Sequence, residues 1–266
     1  MFRKLRITFL IYLLLLVAVS QYLTFRKTAD WDRTLWVDVH LIDASSSNAA
    51  TEYIDALQPD FLDGIERYLK SESQRFGLAL QEPVRVEVAG RLSEDPPAIP
   101  SGNNFLSTVW WSLRMRWFTA KLHWTDGRPE PDVTLFLRFH PSSERLVLDR
   151  STGLRKAMIA IANVFAERRM QGSNNVIITH ELLHTFGAID KYSLADNQPL
   201  FPAGFAEPER KPLYPQRAAE LMGGRIPTSA KESRTPNALS ETRIGPLTAL
   251  EIGWLDELPE PAHRNE

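Results

Sequence analysis

His180 and His184 stand four residues apart with Glu181 between them, in the run NNVIITHELLHTFGAID over residues 174–190. At 3.6 residues per turn that spacing puts both imidazoles on one helix face, where they can share one Zn²⁺ at about 2.0–2.1 Å. Glu181 lies beside them on the same turn, placed to hold and deprotonate a water on the cation. Val176, Ile177, Ile178, Leu182, Leu183 and Phe186 surround the three polar residues with apolar ones. Such a helix is buried, and buried polar groups need partners, which a metal would supply. The chain has no cysteine, so disulfides, thiolate-bound zinc and thiol catalysis are excluded together. Any metal must sit on His, Asp or Glu.

Two histidines fall one ligand short of a catalytic zinc site, which holds three protein groups and leaves a fourth position for water. On a straight helix Asp190 would lie about 15 Å from His180. Gly187 alters this, because a glycine there can end the helix in the left-handed conformation and turn Asp190, three residues on, back to the metal. The expected metal ligands are therefore His180, His184 and Asp190, with Glu181 as the catalytic base. Glu220 is the rival third ligand. Tyr192 is expected to pack on its own loop rather than donate to an oxyanion. His40, His123 and His140 have no partner at ligand spacing and stay outside the site.

The run HELLHTFGAID resembles the extended zinc motif of the metzincins, with Asp190 where most members carry a third histidine, as in the snapalysin-like variant. Residues 219–224 (AELMGG) are similar to the methionine turn of that clan, with Met222 in the apolar floor beneath the metal. The resemblance implies a zinc-dependent endopeptidase acting on peptide or protein substrates, with an edge strand above the cleft. That strand would be residues 156–165. A tyrosine found shortly after the turn methionine in some members is missing here, so no oxyanion-stabilising role is assigned there. Two other readings remain open: a zinc hydrolase of another class with Glu220 as third ligand, and a non-catalytic extracytoplasmic binding module. The intact Glu181 speaks for an enzyme, because a structural zinc site has no use for a general base.

The elements that must position these residues form an α/β pattern. Residues 35–42 (LWVDVHLI) and 84–88 (VRVEV) alternate as strands, and an amphipathic helix over 51–76 separates them, with Pro59 as a kink or restart. A second helix is expected over 105–124, where Leu106, Trp110, Leu113, Trp117 and Trp124 form one stripe. Its four tryptophans read as buried aromatic core; with Arg114, Arg116 and Lys121 they offer, alternatively, a surface for a membrane. Residues 133–140 and 145–148 read as a hairpin, 156–165 as a buried strand rich in β-branched residues, and 244–255 as a closing helix. Residues 193–240 are rich in Pro, Gly and charge and form a structured or mobile loop walling the site. The expected fold is a mixed, largely parallel twisted sheet with packed helices, metzincin-like, after an N-terminal transmembrane helix.

Residues 1–25 carry Arg3, Lys4 and Arg6 ahead of the apolar run 7–19, the pattern of a signal sequence or membrane anchor. Residues 26–34 would link it to a metallopeptidase domain over 35–256, followed by a polar tail over 257–266. The charge bias places the N-terminus inside and the domain outside the cytoplasm, periplasmic or extracellular, tethered to an inner or plasma membrane. The net charge of −2 gives no basic footprint for nucleic acid.

Overall fold

The computed structural model describes residues 6–8, 11–12, 30–45, 50–100, 105–142, 151–154 and 157–259. Its centre is a five-stranded sheet of β1 (Leu35–Asp43), β2 (Val84–Leu92), β3 (Val133–His140), β4 (Thr152–Leu154) and β5 (Ile159–Phe165), in the order β2-β1-β3-β5-β4. Four strands run parallel and β4 alone is antiparallel, against β5. Parallel neighbours need crossovers, and helices supply them: α1 (Thr51–Asp55) and α2 (Asp63–Arg75) between β1 and β2, and α3 (Phe105–Asp126) between β2 and β3. The metal-motif helix α4 (Gln171–Phe186) and a closing helix α5 (Pro246–Glu251) follow.

Both faces of the sheet are covered, which is why β1, β3 and β5 are buried almost without interruption instead of alternating. Along β3, Leu135, Leu137 and Phe139 join the core that includes Ile178, Leu182 and Leu183 of α4. Phe136 points to the other face and packs with Trp111 and Met115 of α3. The two-sided core thus clamps α4 against one face of the sheet and α3 against the other.

The helix over 51–76 breaks around Pro59 and restarts, with a turn over 56–62 between α1 and α2. Other expectations are corrected. The edge strand beside α4 is Thr152–Leu154; residues 159–165 form the interior strand β5, hydrogen-bonded on both sides. The stripe of Leu106, Trp110, Leu113, Trp117 and Trp124 faces outward instead of filling the core. Among the described residues no helix is long and apolar enough to cross a membrane. This overturns the membrane-anchored, extracytoplasmic placement expected from residues 7–25, most of which lie outside the described residues. Residues 145–148, expected as a strand, also lie outside them.

Candidate metal centre

Helix α4 ends as its sequence requires. Gly187 adopts φ 118°, ψ 1°, a left-handed cap that a side chain would strain, and its N–H donates to the Leu183 and His184 carbonyls at 3.0 and 3.2 Å. The chain then doubles back. The freed Ala188 carbonyl accepts from His184 Nδ1 at 2.8 Å, and Asp190 Oδ1 comes to 3.0 Å from His180 Nε2 and 3.1 Å from His184 Nε2. Ligand atoms on a tetrahedral zinc at about 2.0–2.1 Å would sit about 3.3 Å apart, so the three converge at close to ligating separation. His180, Glu181 and His184 also offer donor atoms within 4.8 Å of one another.

Each imidazole is oriented from behind. His180 Nδ1 donates to the Leu221 carbonyl at 3.0 Å, as His184 Nδ1 does to Ala188, so both rings turn Nε2 toward Asp190. Such backing bonds fix the tautomer and raise ligand basicity. Asp190 is held from both flanks. The Ile189 N–H donates to Glu251 at 3.0 Å, the buried Lys191 ammonium meets the same carboxylate oxygen at 2.7 Å, and the Lys191 N–H donates to the Met222 carbonyl at 2.8 Å. The 219–224 turn therefore supports one imidazole and the carboxylate turn together, with Met222 fully buried.

Glu220 holds that turn instead of reaching the imidazoles. Its Oε2 accepts from the Gly223 N–H at 2.8 Å, and its Oε1 accepts from the Gly245 N–H at 3.0 Å and the Thr248 hydroxyl at 2.6 Å. Burial pushes its pKa above the ordinary value against the pull of these bonds. The rival third ligand is thus a buried bracket between the turn and α5.

The electrostatics of the cluster follow from its packing. Burial alone would lower the His180 pKa, but the Asp190 hydrogen bond, the charge of Glu181 and the Leu221 carbonyl raise it to about 9. Burial works to raise the Asp190 carboxyl, yet the hydrogen bonds from both histidines hold it well below the usual carboxylate range. Without a metal the site is a His180⁺–Asp190⁻ pair, and a cation would take the place of the His180 Nε2 proton.

A cleft of about 380 Å³ opens over these residues, walled by Ser151, Thr152, Gly153, Asn163, Ile177 and Tyr192. A Cβ on Gly153 would fall 2.5 Å from His184 Cβ and 2.6 Å from the Glu181 carbonyl oxygen, so only glycine lets β4 lie this close to α4. No local signal in the sequence marks that role. Tyr192, expected to pack on its loop, sets its ring 6.3 Å from that of His180 on the cleft wall. His140 stands behind Asn163, whose Oδ1 lies 2.9 Å from its Nε2; His40 stacks on Phe136. A larger cleft of about 580 Å³ lies between α3 and the sheet and contains His123. Among the described residues, the only group of metal-binding atoms drawn together is the one on α4.

No family model and no curated protein matches the chain. Among solved structures it is similar to a chaperone–substrate complex, at 12% identity and a TM-score of 0.41 over 83% of this chain and 33% of that one. It is also similar to catalytically inactive OgpA from Akkermansia muciniphila bound to an O-glycopeptide substrate, glycodrosocin, at 12% identity and a TM-score of 0.37 over 81% of this chain and 58% of that one. The chain spans about a third and somewhat over half of these two structures. Likenesses this distant assign no function to the chain, which has an α/β fold and a candidate metal centre on α4.

Proposed function

We propose that this chain is a zinc-dependent metallopeptidase of the metzincin kind, with His180, His184 and Asp190 holding the metal and Glu181 acting as general base. The observation that carries this reading is the convergence of two Nε2 atoms on one Asp190 oxygen, beside Glu181, in an open cleft. The donor set suits zinc, being two imidazoles, each with its Nδ1 already engaged by a backbone carbonyl, and one carboxylate. An antiparallel edge strand against the cleft supports the same reading.

When bound, zinc would supply Lewis acidity, polarising a peptide carbonyl and lowering the pKa of water toward ~7. The residues of the chain do the rest. An extended substrate would add by main-chain hydrogen bonds to Thr152–Leu154, the outermost strand of the sheet among the described residues, which would set its carbonyl over α4. The Glu181 carboxylate would take a proton as water adds to the carbonyl carbon, then pass it to the departing nitrogen as the C–N bond breaks. Exhaustive chelation should abolish hydrolysis of a mixed peptide library, and one equivalent of zinc should restore it. Hydrolysis that survives chelation, with the protein shown to be metal-free, would overturn the proposal.

The pKa of His180 gives a pH test that separates the metal-free from the zinc-bound state. In metal-free protein its raised pKa contributes stability that is complete below the unfolded value of about 6.5 and is lost as pH rises through about 9. Zinc must displace that proton, so its apparent affinity should rise about tenfold per pH unit from 7 toward 9. Melting temperatures over this range should therefore fall without zinc and stay level with saturating zinc, because the zinc-bound fold and the unfolded chain both lack the His180 proton. Parallel trends would mean that the metal does not displace the His180 proton.

A further inference from the structure

Helix α3 has two apolar faces, and only one of them meets the sheet. Trp111 and Met115 are buried against Phe136, Ile159 and Ile161, with Phe118 and Leu122 packed beside them. On the opposite side Leu106 is 72% exposed, Trp110 64%, Leu113 54%, Trp117 74% and Trp124 88%. At 100° per residue these five fall within one narrow stripe along a helix of 22 residues, about 33 Å long. Isolated exposed apolar residues need no explanation, but a continuous stripe with three tryptophans marks a contact surface.

The borders of the stripe say what it contacts. Arg114 and Lys121 follow one border and Arg116 the other, all exposed, and the helix has no acidic residue before Asp126. Three cations within the helix make a membrane crossing costly, whereas a helix lying flat can keep them at headgroup level while tryptophan and leucine enter the acyl boundary. Tryptophan itself favours that interface, having an apolar body and one N–H donor. Cations on both borders of an apolar stripe match a surface of anionic lipid headgroups over an acyl interior.

We infer that the outer face of α3 docks on an anionic lipid bilayer. The helix lies on the sheet face opposite α4, so the docked molecule keeps its metal-site cleft turned from the lipid. The inference is independent of what the cleft does.

The chain has no cysteine, so a Trp117→Cys variant of the full-length protein can carry one environment-sensitive fluorophore on the stripe. Arg67→Cys, exposed on α2, serves as the comparison site. With vesicles of phosphatidylglycerol and phosphatidylcholine, the label at position 117 should shift to the blue and be quenched by brominated acyl chains. The label at 67 should do neither. Vesicles of phosphatidylcholine alone should bind much more weakly. Arg114→Gln with Lys121→Gln should weaken binding to the anionic vesicles about thirtyfold, at about fivefold per cation, with the melting temperature unchanged. The inference falls if the label at 117 does not respond, or responds no more than that at 67. It falls equally if the label is already blue without vesicles, whether in proportion to protein concentration, which means a second copy, or independently of it, which means that the chain covers its own stripe.

Discussion

Glu181→Gln should lower peptide hydrolysis by roughly 10²–10⁴-fold, the range a positioned general base contributes, while zinc still binds with near-parental affinity. Glu181 is 6% exposed and follows His180 directly on α4, with a carboxylate oxygen within 4.8 Å of donor atoms on both imidazoles. Glutamine matches glutamate in shape and keeps one carbonyl acceptor, but it cannot accept a proton and hand it on. The variant therefore separates chemistry from architecture. Zinc stoichiometry, melting temperature and turnover should be measured on one preparation, because only turnover is expected to move by orders of magnitude. If zinc and fold are lost together, Glu181 is a ligand or a structural residue and the assigned role is wrong. If turnover persists, the proton is carried by another group.

The part of this site legible in the sequence is the part built by local rules. His180, Glu181, His184, Gly187 and Asp190 lie on one helix and the turn that ends it, so helical spacing and glycine's tolerance of positive φ are enough to bring them together. The order of strands and helices was legible for the same reason, each element carrying its own periodicity. What the sequence hid is non-local. The interior place of β5 and the seat of Thr152–Leu154 depend on how closely Gly153 fits against α4, a contact across the fold that no nearby residue encodes. Helix α3 hid its orientation in another way. Both of its faces are apolar, and periodicity identifies faces without saying which one meets the sheet. The tryptophan stripe was the more conspicuous face, yet Trp111 and Met115 are the residues that pack inward. Membrane anchorage rested on composition alone, and no described helix is long and apolar enough to cross a membrane.

Asp190 and Glu220 were the two candidates for the third ligand, and their variants should fail in different ways. Asp190→Ala removes an oxygen lying 3.0 and 3.1 Å from the two Nε2 atoms, and should reduce zinc affinity by more than about 100-fold, beyond what loss of a supporting group costs. The fold should survive it, because the turn stays anchored through Glu251 to Ile189 and Lys191. Glu220→Gln removes an acceptor from the Gly223 N–H inside the core, and a buried donor left unpaired costs about 1–3 kcal/mol. The 219–224 turn loosens as a result. That turn carries the Leu221 carbonyl behind His180 and the Met222 carbonyl behind Lys191, so zinc affinity should fall only by the 10–100-fold typical of an outer-shell partner. Both variants should melt lower without metal, Asp190→Ala through loss of the His180 pair at neutral pH, so zinc separates them: Asp190→Ala should bind little zinc, whereas Glu220→Gln should still bind it. Competition against a chromogenic chelator gives the affinities, and calorimetry of the metal-free proteins gives the stabilities. If Asp190→Ala binds zinc like the parent while Glu220→Gln does not, the carboxylate beside the imidazoles is not the ligand and the metzincin reading is lost with it.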